Sequence, residues 1–290
     1  MTSPLEAVLC DVARFAKEVR VFLVGGAVRD LLAGRESRDV DLLVLSDGTT
    51  GFPSRLGTLP GWRTLAAHDR FGTATFSVPS GLRVDAALAR KESYPAPGAL
   101  PVVVAGVSVE EDLARRDFTV HAMAMEVDGG GGLGPVVDPF GGQDDLAGHR
   151  LRLLHARSLS DDPTRAFRAV RYECRLGFRE MEPEFSEALS MSRKSGAWDL
   201  ISGDRLRNAL EETLAEDEWR EACTRLDSLG ILTLVVKGWE TPPGPVSSGT
   251  PGLEARWRAL LAPLSPGMKA GVAGRLNFSR RLRRESGTAP

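Results

Sequence analysis

The 290-residue sequence is short of several features, and each shortage removes a class of protein. Its three cysteines, Cys10, Cys174 and Cys223, are odd in number and widely spaced. That argues against a disulfide framework and offers no zinc-ligand pattern. No apolar run approaches the roughly 20 residues needed to cross a bilayer. The opening "MTSPLEAVLCDVARF" carries early acids and no basic leader, so it does not read as an export signal, and a cytoplasmic protein is expected. The net charge of −2 lacks the markedly basic balance usual for a nucleic-acid-binding domain, so any RNA contact must use a local basic face. There is no internal repeat, no P-loop and no dinucleotide fingerprint. What is present, 42% hydrophobic and 26% charged residues, is the balance of a globular chain with a core spread over more than one structural unit.

Local patterns predict an α+β protein whose first half is a mixed sheet with helical cover and whose second half is helical. "LEAVLCDVARFAKEV" has helical apolar spacing behind Ser3-Pro4, an N-cap and N1 pair. "VFLV" predicts a strand ended by Gly25-Gly26, and "AVRDLLAG" a short helix closed by Gly34. "VDLLVL" predicts a second strand, and "FGTATFSV" and "LRVDAALA" a hairpin through "PSG". "VDGGGGLGPVVDPFGG" reads as a flexible connection. Beyond it "DPTRAFRAVRYECRLG", "EPEFSEALSMSRK" and "SGDRLRNALEETLAEDEWREACTRLDSLG" are helical, with no sheet of any size after residue 155. The expected division is a head over 1–147, a helical neck over 148–240, a proline-, glycine- and serine-rich linker over 241–252 and a partial helical body over 253–290.

The chemistry concentrates in "VGGAVRDLLAG" and the "RDVDLLVL" that follows it. Strand alternation puts Asp39 and Asp41 on one face, about 7 Å apart along the backbone. Carboxylates so placed can converge on Mg²⁺, which keeps waters and substrate phosphates as its other ligands. "RVDAALAR" adds Asp85 on another predicted strand, and three such acids could hold two metal ions. Taken alone, the Asp-x-Asp pattern reads more readily as a polar strand edge. A Gly-Gly turn at a helix start lets a nucleotide phosphate approach the backbone, though a tight turn explains the glycines as well. The two features in succession point to nucleotidyl transfer.

The ordered motifs resemble a known family. "LVGGAVRDLLAGRESRDVDLLV" is similar to the head motif of the tRNA nucleotidyltransferase and bacterial poly(A) polymerase family, of the class II CCA-adding type. "EDLARRDFTVHAMA" resembles its second motif, RRDFTxNAMA. "DPFGGQDDLAGHRLR" resembles the join of head and neck, and "DDPTRAFRAVRYECRLGF" the nucleotide-selecting helix. "SGDRLRNALEETL" resembles the next neck helix. The likeness covers about residues 20 to 230.

That resemblance implies a template-independent enzyme that adds C, A or both to the 3′ end of tRNA, using CTP and ATP with two Mg²⁺ ions. It implies Asp39, Asp41 and Asp85 as metal-holding catalytic acids. It assigns Gly25, Gly26 and Arg29 to the triphosphate turn, with Asp30 as a structural partner of Arg29 in the competing reading. Arg115, Arg116 and Asp117 would contact sugar and phosphate. Asp162 and Arg165, three apart on one helix, would select the incoming base; an ordinary intrahelical ion pair is the bland alternative. Arg168 and Arg171 extend this basic stripe as phosphate contacts or as pairs to a neighbouring helix. Poly(A) synthesis and a non-catalytic nucleotide- or RNA-binding derivative are the competing functions.

Four departures from the pattern stand out. The Asn of the second motif is His121, for which a buried structural ring is expected. The Glu of the "RLR-x-E-L" helix is Ala209, so Arg205 is expected to lack its partner. Asp161 replaces the leading Glu of the base-selecting motif. Family members continue through a body and tail that grip tRNA, whereas this sequence stops soon after a body-like start.

Overall fold

Residues 40, 42 and 44 are apolar and alternate with Asp39 and Asp41, and this period of two decides which side of the first half's sheet is core. The computed structural model describes residues 3–14, 19–37, 39–45, 51–178, 180–181 (backbone only), 183–240 and 252–288. Its internal contacts divide the chain into two units, residues 1–93 with 101–154, and residues 94–100 with 155–290.

The first unit holds strands β1 (Arg20–Val24), β2 (Asp39–Leu45), β3 (Arg63–His68), β4 (Thr73–Ser77), β5 (Arg83–Leu88), β6 (Arg90–Ser93), β7 (Val102–Ala105), β8 (Ala124–Val127) and β9 (Leu133–Val137). Its helices are α1 (Pro4–Ala13), α2 (Gly26–Leu32), α3 (Phe52–Arg55), α4 (Val109–Ala114) and α5 (Gly142–Ala147). Seven strands form one mixed sheet in the order β3-β4-β5-β2-β1-β8-β9, while β6 and β7 make a separate hairpin. Only β2 and β5 run parallel in the seven-stranded sheet. The expected α+β class, with a mixed sheet and helical cover, is what the chain forms.

One face of the sheet carries Val40, Leu42, Val44, Phe76, Val84 and Ala86 into a core shared with Val8, Leu9 and Val12 of α1 and with Val28 of α2. The opposite face is apolar over only part of its width, where Phe22, Val24 and Leu43 pack with Val109 and Leu113 of α4. On the β4-β5-β2 side of that second face the same alternation places Thr75, Arg83, Asp85, Asp39 and Asp41. The polar site is thus the part of a sheet face for which the chain supplies no apolar residues.

The capping chemistry behaves as read: Ser3 caps α1 in a reciprocal box with Glu6, and Pro4 occupies its first turn. Gly34, with φ of +65°, follows the end of α2. The polyglycine stretch is not a loose connection between the halves. It is the turn of the β8–β9 hairpin, in which the Asp128 carboxylate accepts from the N–H groups of Gly130 (2.7 Å) and Gly132 (2.9 Å). Glycine richness marks sharp chain reversal here as much as freedom.

The second unit is helical: α6 (Ser158–Asp161), α7 (Thr164–Leu176), α8 (Pro183–Lys194), α9 (Ala197–Leu200), α10 (Gly203–Ala215), α11 (Trp219–Ser228), α12 (Ile231–Val235), α13 (Leu253–Leu261), α14 (Pro266–Arg275) and α15 (Arg280–Ser286). Nearly all of the linker expected over 241–252 lies outside the described residues. Helix ends leave carbonyls without intrahelical donors, and arginines satisfy them repeatedly. Arg275 donates to Trp198 O (2.7 Å) and Ile201 O (3.0 Å), and Arg256 to Glu216 O (2.7 Å). Arg193 donates to Leu229 O (2.6 Å), and Arg283 to Phe278 O and Ala273 O (both 3.1 Å). Much of the basic charge in this half therefore serves helix termini. No helix among the described residues is long and apolar enough to cross a membrane.

Candidate active site

The turn between β1 and α2 is built on Gly25, whose φ of 69° and ψ of −130° lie where a side chain is strained. A Cβ on Gly25 would sit 2.7 Å from Arg116 Nη1 and 3.4 Å from Asp41 Oδ2. The absent side chain therefore leaves a gap flanked by one carboxylate and one guanidinium. Arg116 also donates from Nη2 to Asp112 Oδ2 (3.2 Å) and from Nη1 to the His121 carbonyl (3.3 Å), while its buried Nε has no hydrogen-bond partner among the described residues. The Gly25 N–H is not free for a ligand, because it donates to Met123 O at 3.2 Å.

Beside this turn, Asp41 of β2 stands in register with Asp85 on the parallel neighbour β5, and Asp39 with Arg83. Asp85 is already engaged. Thr75 Oγ1 donates to its Oδ1 at 2.5 Å, and Arg83 Nε to its Oδ2 at 2.9 Å. The hydrogen bond to Asp85, then its negative charge, and finally those of Asp39 and Asp41 raise the Arg83 pKa above its ordinary value. Arg83 thus neutralises part of an acidic cluster, a feature that sequence reading missed although it stands two residues before Asp85. Among the described residues, no three His, Cys, Asp or Glu side chains are gathered to hold a metal. The three acids expected to act together lie on adjacent strands, Asp41 level with Asp85 and Asp39 level with Arg83, and Asp85 is tied to Arg83 and Thr75.

The arginines of the second motif divide. Arg116 reaches the glycine turn, whereas Arg115 is bound by Asp112 Oδ1 (2.8 Å), Glu92 Oε1 (3.1 Å) and the Arg90 carbonyl (3.1 Å). Asp112, fully buried, organises both from one turn back on α4; its i,i+3 and i,i+4 spacing to the two arginines was the available signal. Asp117 is buried and accepts from the Phe118 N–H (2.9 Å).

Arg29 is buried with its guanidinium folded over Gly26, about 3.6 to 3.9 Å from where a Cβ would lie. Its Nη2 donates to Asp30 Oδ1 at 2.6 Å, so the structural pairing of Arg29 with Asp30 is realised. Its Nη1 lies 2.5 Å from His121 Nε2, and His121 Nδ1 lies 3.1 Å from Asp117 Oδ1. The buried ring expected for His121 is therefore also a fully engaged hydrogen-bonding group.

In the helical unit, Asp162 does not share a helix with Arg165. It follows α6 with φ of −139° and ψ of 99°, because Pro163 disfavours helical backbone at the residue before it. Its Oδ1 accepts from Thr164 N (3.0 Å) and Thr164 Oγ1 (2.7 Å) and forms an ion pair with Arg205 Nη2 (2.9 Å). Arg205 does not lack a partner despite Ala209: it pairs with Asp162 and donates to the Gly98 carbonyl at 2.9 Å. Arg165 is buried, donating to Ser158 Oγ at 2.7 Å. Of the basic stripe, Arg171 pairs with Glu212 and with Glu216 (3.1 Å), and the Arg168 guanidinium stands 5.6 Å from the Tyr172 ring centre. Arg171 is a pair to a neighbouring helix.

Comparison with known proteins places these features in context. Residues 21–152 match the model of the poly(A) polymerase head domain. The A-adding tRNA nucleotidyltransferase of Geobacter sulfurreducens is 40% identical over 237 residues, covering 80% of this chain and 26% of that protein. The CC-adding tRNA nucleotidyltransferase of Deinococcus radiodurans is 34% identical over 231 residues, covering 78% of this chain and 59% of that protein. The chain thus spans about a quarter of one relative's length and rather more than half of the other's. Among solved structures, an apo form of a CCA-adding enzyme superimposes with a TM-score of 0.79 at 30% identity, over 98% of this chain and 70% of that one.

Proposed function

Because the chain belongs to the tRNA nucleotidyltransferase and poly(A) polymerase family, we propose that it transfers C or A from CTP or ATP to the 3′ end of tRNA without a template. The observation that carries this reading is the Gly25 gap, with Asp41 Oδ2 on one side and Arg116 Nη1 on the other. An acid for a divalent ion and a cation for phosphate meet there at the point where the backbone has no side chain. Paired hard carboxylates, a cradle that a Cβ would fill and an orphaned buried Arg116 Nε fit a Mg²⁺-bound triphosphate.

In this mechanism the terminal 3′-hydroxyl attacks the α-phosphate in line and pyrophosphate leaves. Asp39 and Asp41 would hold Mg²⁺, with Asp85 as a further ligand once its pairing with Arg83 loosens. An ion held there would supply positive charge for activating the hydroxyl and for stabilising the leaving pyrophosphate. Arg116 orients the triphosphate over Gly25, with Arg29 beside Gly26, so catalysis rests on positioning and charge. Asp117 faces the sugar. Asp162 Oδ2 accepts from the exocyclic amine that cytosine and adenine share, and Arg165 donates to the base. Arg115 acts through Asp112, holding the end of α4, and Arg168 reaches phosphate from α7. Such an enzyme works in the cytoplasm, where tRNA and nucleoside triphosphates are found.

The test supplies CTP and ATP separately, with Mg²⁺, to tRNAs ending before, within and after the CCA triplet. One or more added C or A residues is the expected product. A long A tract would instead assign poly(A) synthesis. Asp39→Ala and Asp41→Ala should each abolish addition; near-wild-type turnover in either folded variant overturns the site.

A further inference from the structure

We infer that His121, as a neutral imidazole protonated on Nδ1, is a positioning residue whose ring sets Arg29 at the Gly25–Gly26 turn. The inference rests on the reading of that turn as the triphosphate site. Two contacts assign the tautomer independently. Arginine has no acceptor, so the 2.5 Å contact between Arg29 Nη1 and His121 Nε2 requires an unprotonated Nε2. A carboxylate only accepts, so the 3.1 Å contact to Asp117 Oδ1 requires a proton on Nδ1. The two demands fall on opposite nitrogens and are met together by one tautomer.

The same residue reaches the second arginine through its backbone, since the His121 carbonyl accepts from Arg116 Nη1 at 3.3 Å. Arg29 comes from α2 and Arg116 from the end of α4, and His121 touches both. Its ring is buried and held edge-on by Phe118, with centroids 5.9 Å apart. Its backbone belongs to the Thr119–His121 turn, anchored where Thr119 Oγ1 donates to the buried Asp145 at 2.6 Å. The turn is also seated on Gly142, where a Cβ would lie 2.3 Å from the Thr119 carbonyl. Asp117, on the other ring nitrogen, is the residue assigned to the sugar. One imidazole therefore links the phosphate side of the site to its sugar side. Asn also offers one acceptor and one donor, so it can replace the ring at shorter reach.

The experiment compares wild type, His121→Asn, His121→Ala and Arg116→Ala, each checked for folding by circular dichroism. It measures the affinity for inorganic tripolyphosphate, and KM and kcat for the nucleotide. His121→Ala should weaken tripolyphosphate binding and raise KM by about tenfold or more, the size of a lost charge-assisted hydrogen bond. The change in kcat should be smaller, and His121→Asn should recover most of the loss. Tripolyphosphate binding unchanged in folded His121→Ala, while Arg116→Ala weakens it, overturns the positioning role and leaves the phosphate site standing. Unchanged binding in Arg116→Ala as well removes the phosphate reading and the proposal with it. Should His121→Ala not fold, ¹⁵N shifts of the imidazole in the wild-type protein carry the test, with His121→Asn identifying the signal. An Nε2-protonated ring or an imidazolium at neutral pH overturns the assignment.

Discussion

Replacing Gly25 with alanine tests the turn through its geometry alone, because the change adds one methyl group and no charge. Two effects add. The backbone at φ of 69° and ψ of −130° is unfavourable for any residue with a Cβ, at a cost of about 1–3 kcal/mol in folding stability. The new methyl also meets Arg116 Nη1 at 2.7 Å, and that long side chain must swing away. Losing a charge-assisted phosphate contact costs about 1.5–3 kcal/mol, or roughly ten- to a hundredfold in nucleotide affinity. Gly34 separates the two effects: its φ is also positive, at 65°, and nothing lies within 4 Å of its would-be Cβ. Gly34→Ala should therefore lower stability by about 1–2 kcal/mol and leave nucleotide affinity unchanged. Urea denaturation and nucleotide titration on the two variants and wild type read both quantities. If Gly25→Ala binds nucleotide as tightly as Gly34→Ala does, the gap between Asp41 and Arg116 is not where phosphate lies.

Two further outcomes are expected. Asp162→Ala should relax discrimination against UTP and GTP by about tenfold or more, because a polar pocket selects through groups left unpaired; Arg205→Ala, which removes that carboxylate's ion pair but leaves Thr164 on it, should do so less. Nucleotide competition assays decide it, and unchanged selectivity in Asp162→Ala moves base recognition elsewhere. The thiols should divide by environment: burial pushes Cys174 and Cys223 up to about 12, so at neutral pH both stay protonated and inert, while exposed Cys10 is alkylated first. Peptide mass mapping after brief iodoacetamide treatment reads the order, and early labelling of Cys223 in folded protein contradicts the packing.

The amino-acid order by itself determined whatever depends on neighbours in the chain. Alternation over residues 39–44 set the common face of Asp39 and Asp41, Ser3-Pro4 set the start of α1, and Gly25-Gly26 set the sharp exit from β1. The break at Asp162 belongs here too, since Pro163 announces it and helical spacing alone misleads. Tertiary structure decided the partners. Arg29 meets His121 across 92 residues, and Arg205 meets Gly98 across 107, so no local spacing reports either pair. Arg115 and Arg116 are adjacent, chemically identical and both bound by Asp112, yet Glu92 claims one while the glycine turn receives the other. Asp85 was legible as an acid in a strand, but its pairing with Thr75 required the β4–β5 register. Spacing fixes direction over a turn or a strand, whereas a buried charge is completed by whichever opposite group the fold brings within about 3 Å.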